Sequence, residues 1–170
     1  MSAASEHSNR LMPSLLDRLT DHAPQRGSEA PHERLTSSSY LRESVLRDLS
    51  WLLNTVNAES TTSFEGSPLA QMSVVNFGIP ALSGRQLAAA DWKDVETTLH
   101  TAITTFEPRI LPDSLEVRVL PAAQGLASRN RLSLEIRGQL RSQPYPLELL
   151  LRSSIDLECG LVSLENVGRS

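Results

Sequence analysis

At 170 residues and 39% apolar content, the chain suits one compact domain plus a tail and can bury a sizeable core. Its net charge of −4 argues against nucleic-acid binding, which asks for a basic surplus or stripe. No apolar run is long enough to span a bilayer and Met1 to Arg10 is polar, so the expectation is a soluble, non-exported, cytoplasmic protein.

Leu11, Leu15, Leu16 and Leu19 recur at helical spacing and predict a short amphipathic helix near the N-terminus. From Thr20 to Ser39 the chain carries Pro24, Gly27 and Pro31 with little to bury, as a linker does. The division read here is an N-terminal helix and linker over 1–36, followed by the main domain over 37–170. The first helix either packs on its own domain or docks on a partner, which makes Leu15 and Leu19 candidate partner-facing residues.

Ser38 or Ser39 can cap a second helix reaching about Asn54, with Leu41, Val45, Leu49, Leu52 and Val56 as its core stripe. Glu43 and Arg47 stand four apart as a solvated pair. Trp51 falls off the stripe, so it is either covered by another part of the chain or offered to a partner. Asn57 to Gln71 is polar, with Gly66 and Pro68, and reads as a long mobile loop. Met72 to Pro80 is apolar and broken by a turn, Gly78 being free to take positive φ and Pro80 fixing the exit. Asp91 can cap a third helix carrying Trp92, Val95, Leu99, Ile103 and Phe106 on one face.

That helix ends in Phe106-Glu107-Pro108-Arg109-Ile110, which local rules do not favour. A carboxylate at a helix C-terminus faces the negative end of the macrodipole. Pro108 lacks an N–H and disfavours the α region for Glu107, which should therefore be extended, with Arg109 projecting to the same side. The expectation is a rigid carboxylate–guanidinium pair at a helix-to-sheet junction.

Beyond Pro112 the period becomes two. Leu115, Val117 and Val119, then Leu132, Leu134 and Ile136, then Leu147, Leu149 and Leu151 alternate with polar residues, predicting three strands buried on one face. Short connections through Gln124-Gly125 and Ser142-Gln143-Pro144 make an antiparallel meander, with a further edge strand around 161–164. The fold class is α+β, with helices packed on one face of a small, mainly antiparallel sheet.

Known site chemistries find little support. The histidines at 7, 22, 32 and 100 have no ligand spacing, no glycine-rich phosphate cradle is present, and the serines lack a nucleophile elbow, so neither metal nor cofactor is expected. The lone Cys159 permits no internal disulfide, fits a reducing compartment, and reads as a small buried apolar residue. Lys93 is the one lysine; the excess of arginine suits bidentate interface contacts and equally reflects compositional bias. A glycosidase would need a protonated acid across a cleft from a second carboxylate, and Glu107 is the obvious candidate. A guanidinium two residues away favours the ionised form, the wrong direction for a general acid.

Three motifs in order carry a family resemblance: Arg47-Asp48-Leu49 with Leu52-Leu53-Asn54-Thr55, then Ser73 to Pro80, then Phe106 to Ile110. Together, over about Leu11 to the C-terminus, they resemble TssE, the type VI secretion baseplate subunit similar to the small wedge protein of contractile-phage baseplates. Val56 departs from the pattern, where the family usually has an arginine. The resemblance implies a cytoplasmic structural protein, not an enzyme despite the family's "lysozyme-like" label. Its implied place is the cytoplasmic face of the bacterial inner membrane. The implied partners are the wedge subunits TssF and TssG, with TssK as a further candidate, and the sheath proteins TssB and TssC. It places the interaction motif at Glu107, Pro108 and Arg109, supported from the core by Asn76, Phe77, Gly78 and Pro80. The alternative it leaves open is a peptidoglycan hydrolase with Glu107 as general acid.

Overall fold

The computed structural model of the chain describes residues 14–20, 24–25, 37–82, 91–120, 131–142 and 144–168. Helix α1 covers Leu15–Leu19, with Ser14 as its N-cap; Leu11 of the expected helix lies outside the described residues. Helix α2 runs from Ser38 to Leu53. Its cap is Ser37, one residue ahead of the expected serines, and the Ser37 hydroxyl accepts the Tyr40 N–H at 3.1 Å. Leu41, Val45, Leu49, Leu52 and Leu53 are buried along one stripe. Val56 is not part of that stripe: it lies past the helix end, 58% exposed, in a parallel bridge with Ile79.

A short helix, α3 (Pro68–Gln71), precedes α4 (Trp92–Phe106), which buries Val95, Leu99, Ala102 and Ile103. Four strands follow, β1 (Glu116–Leu120), β2 (Arg131–Leu140), β3 (Leu147–Asp156) and β4 (Val162–Asn166). They form one antiparallel sheet in the order β1-β2-β3-β4, as the alternation predicts. The expected Gln124-Gly125 turn lies outside the described residues. Val117, Leu134, Ile136, Leu149, Leu151, Ile155 and Val162 point into the same core as the stripes of α2 and α4. Helix α4 packs over β1 and α2 over β4, so the helices share one face.

The other face is charged. Arg118, Glu135, Arg152 and Glu165 lie in register across all four strands with alternating sign. Glu135 also takes the Arg137 guanidinium at 2.7 Å. Within this row Glu135 and Arg152 approach to 3.9 Å, while Arg118 reaches Glu116 on its own strand at 3.0 Å, so the row adds roughly 0.2–1 kcal/mol per close pair to a register set by the buried face.

Two expectations fail for local reasons. Residues 57–71 are not a structureless loop: they contain a 3-10 turn at Ala58–Ser60 and helix α3. The buried Asn76 side chain ties them together, accepting the Glu59 N–H at 2.9 Å and donating to the Gln71 carbonyl at 3.0 Å. Cys159, expected to be buried, is exposed, because it sits in the tight turn joining β3 to β4.

The 73–80 turn closes on the segment that follows α2 by backbone pairing. Asn57 N–H donates to Ile79 O at 3.0 Å and Ile79 N–H to Thr55 O at 2.9 Å. Gly78, at φ +122°, allows this approach: a Cβ there would lie 2.4 Å from the Thr55 carbonyl oxygen. Gly78→Ala combines a forbidden backbone conformation with a backbone clash and should cost at least about 2 kcal/mol. Urea unfolding with an unchanged slope and a lower midpoint would register it.

Candidate functional site

The helix-to-sheet corner is assembled from the end of α4 outward. Glu107 still donates its N–H to Ile103 O at 2.8 Å, then leaves the helix at φ −120°, ψ 77°. Pro108, exposed, turns the chain. Arg109 to Leu111 then pairs with the end of β2. Arg141 N–H donates to Arg109 O at 2.7 Å and Leu111 N–H to Gln139 O at 2.8 Å, around an antiparallel bridge between Ile110 and Leu140.

The pair is closed. Glu107 is 3% exposed, and its Oε1 accepts Arg109 Nε at 2.7 Å and the Arg109 backbone N–H at 3.1 Å, while Oε2 accepts Arg109 Nη2. Three N–H donors therefore explain a carboxylate where the helix dipole disfavours one. Arg109 has further partners on α2: Nη2 donates to Asp48 Oδ2 at 2.6 Å and Nη1 to Ser44 Oγ at 3.2 Å. Burial pulls its pKa down, but the contacts with Glu107 and Asp48 outweigh that and raise it, so the guanidinium stays charged.

The chain of charges continues. Asp48 Oδ1 accepts Arg47 Nε at 2.9 Å, and Arg47 Nη1 donates to Asp17 Oδ1 at 2.5 Å, so α1 is tied to α2. Arg47 thus turns to Asp17 and Asp48, not into the solvated pair with Glu43 expected from spacing. Burial raises the pKa of Asp17, but hydrogen bonds from Arg47 and Ser14 outweigh it and leave the carboxyl below its ordinary 3.8. The Arg47 guanidinium also lies 5.2 Å over the centre of the Trp51 ring, and Trp51 is 49% exposed.

The remaining sequence candidates sit in distinct places. Phe77 packs edge-on against Phe106, ring centres 5.4 Å apart, immediately before Glu107. Asn76, Gly78 and Ile79 are buried behind it and Pro80 is half-buried. Leu15 and Leu19 are 70% and 74% exposed.

Sequence reasoning missed the residues that blunt the sheet edges. The Asn54 side chain imitates a neighbouring strand: its Nδ2 donates to Val162 O at 2.9 Å and its Oδ1 accepts Val162 N–H at 2.9 Å. On the opposite edge Glu96 Oε1 accepts the Val119 N–H at 2.6 Å. It also missed Ser44, Asp48 and Asp17 as partners in the charge chain; the Arg47-Asp48 doublet was the available signal.

An open cleft of about 590 Å³ is lined by Glu59, Thr61, Glu65, Pro68 and Gln71, away from the Glu107 corner. Among the described residues no group of His, Cys, Asp and Glu could hold a metal, and no helix is long and apolar enough to cross a membrane.

The structure is a one-sided α+β fold whose densest charge network runs from the helix-to-sheet corner through α2 to α1. A family model described as baseplate wedge protein gp25 matches residues 39–145, well over half of the chain, and the chain belongs to this family. The match includes α2, the 73–80 turn and the Glu107-Pro108-Arg109 corner, and leaves α1 outside. Comparison with individual curated proteins finds no match. Membership marks the chain as a structural component of a contractile-injection baseplate.

Arg109→Ala leaves the Glu107 carboxylate buried without its charge partner and should cost about 3–5 kcal/mol, whereas replacing both residues by apolar ones of similar size should cost less. Chemical unfolding of the two singles and the double separates these terms. The Asp17 contact carries a pH signature. Because the folded-state value lies below 3.8, the contact stabilises the docking of α1 above that pH and is lost as pH falls through the lowered value. Amide shifts of residues 15–19 should report release of α1 on acidification, and Asp17→Asn should show the released shifts already near neutrality.

Proposed function

We propose that this chain is the TssE-type subunit of a type VI secretion baseplate, joining the wedge to the contractile sheath and helping to start sheath assembly on the cytoplasmic face of the inner membrane. Its family membership carries the reading, together with the three ordered motifs that fall on α2, the 73–80 turn and the corner. In this reading 1–36 is an appended helix and linker and 37–170 the wedge domain. TssF and TssG, with TssK as a further candidate, are its baseplate neighbours, and TssB and TssC the sheath proteins it receives.

The role of Glu107, Pro108 and Arg109 is to hold geometry. Their charges are satisfied within the chain, so they act on the sheath by fixing how α2 and α4 present the sheet. Asn76, Phe77, Gly78 and Pro80 support that corner from behind. The docking edge is β4: Asn54 occupies it only at Val162, and the register turns the N–H groups of Leu164 and Asn166 away from β3.

Two variants test the reading in cells with a fluorescent sheath subunit. Asn166→Pro removes an outward donor without breaking the β3–β4 ladder, so it should leave the fold intact and sheath foci few or absent. Arg109→Ala should also lose foci, with reduced stability. Normal foci in Asn166→Pro cells would rule out the β4 edge as the docking site, and normal foci in both would sink the sheath reading. The hydrolase alternative is disfavoured because both Glu107 oxygens are occupied by Arg109. Purified chain should leave the turbidity of cell-wall suspensions unchanged.

A further inference from the structure

Helix α1 is docked the wrong way round for an amphipathic helix. It contributes no buried residue, and Leu15, Leu16 and Leu19 are 70%, 44% and 74% exposed. What holds it is polar: the Asp17 side chain, 4% exposed, reaches Arg47. Apolar burial normally holds a short helix in place, and here it is missing.

The receiving site is more elaborate than this occupant uses. Arg47 is fixed by Asp48 through Nε and lies over the Trp51 ring, so its guanidinium is held in place before anything binds. Asp17 engages it through Oδ1 alone, because Oδ2 accepts the Ser14 hydroxyl at 2.6 Å. The second terminal nitrogen, Nη2, is buried and has no hydrogen-bond partner among the described residues. A guanidinium fork with one prong unsatisfied suits a carboxylate able to take both. An arginine stacked on a half-exposed tryptophan is also the side-chain pairing that binding hot spots favour. Arg47 and Trp51 lie inside the stretch matched by the family, and α1 lies outside it.

We propose that Arg47 and Trp51 form a docking site for an acidic side chain carried on a short leucine-bearing helix of a partner protein, and that α1 fills this site in the free chain as an exchangeable internal occupant. The ligand chemistry follows from the occupant itself: one carboxylate on the inner side and an apolar face turned outward, free to be covered by the rest of the partner. Exchange replaces a one-pronged contact by a two-pronged one and satisfies Nη2. The inference does not rest on the sheath reading, since it concerns the Arg47–Trp51 pairing on α2 and not the edge hydrogen-bonding groups of β4.

The test uses the full chain and, as probe, an acetylated peptide with the sequence of Met12 to Thr20. Binding is followed by the Trp51 indole N–H in NMR spectra and by calorimetry. The peptide should bind the Asp17→Asn chain and bind the unaltered chain at least about tenfold more weakly, because a tethered α1 competes at an effective concentration on the order of millimolar. A peptide carrying Asp17→Asn should not bind. Arg47→Gln in the Asp17→Asn background should abolish binding, and Trp51→Ala, a half-exposed position, should weaken it with the core intact. Equal binding of the two peptides would overturn the proposal by showing that the leucines are recognised. So would binding indifferent to Arg47→Gln, or no Trp51 shift in the Asp17→Asn chain at millimolar peptide.

Discussion

The Arg109 guanidinium is where the elements meet. It binds the last residue of α4's exit through Glu107, the middle of α2 through Ser44 and Asp48, and its own backbone carbonyl is stitched to the end of β2. Taking two charges out of water is costly, and the arrangement survives because nearly every donor and acceptor involved has a partner. Dispersion and apolar burial would hold α2 and α4 on the sheet without it, but they are non-directional. The ion pair supplies direction: it sets where α4 stops and at what point the chain crosses to the sheet.

Much of this was legible. Period-two alternation located β1, β2 and β3, because a one-faced sheet imposes it residue by residue, while β4 was expected only as a short edge strand around 161–164. The α2 and α4 stripes were equally plain except at Val56, which lies past the end of α2. Less visible was whatever depends on long-range polar pairing. Glu43 and Arg47 are correctly spaced for each other, yet Arg47 is drawn to Asp17 and Asp48, which sequence separation hides. The 57–71 stretch looked structureless because its order comes from one buried side chain, Asn76, beyond its end. Cys159 is exposed because turn position outweighed residue preference. For the candidate site, Glu107 and Arg109 were read as a pair from Pro108 alone, but their tie to α2 needed coordinates.

The surfaces divide by chemistry. The inner sheet face is apolar and covered, the outer face carries a row of alternating charges, and the edges are partly closed by side chains from the helices that cover the inner face. A baseplate component must associate in one way and not in others, and half-closed edges serve both needs. Asn54 and Glu96 each occupy a single position, so they restrict where pairing can begin without removing the edge.

The alternating row Arg118, Glu135, Arg152, Glu165 ends on an anion at β4. Any strand added beyond it would inherit the alternation: a cation opposite Glu165 continues the pattern, and an anion breaks it. Sliding such a strand by one residue would turn that cation to the opposite face and remove the match. The register that sets these charges side by side thus also works as a reading frame for whatever is appended to it.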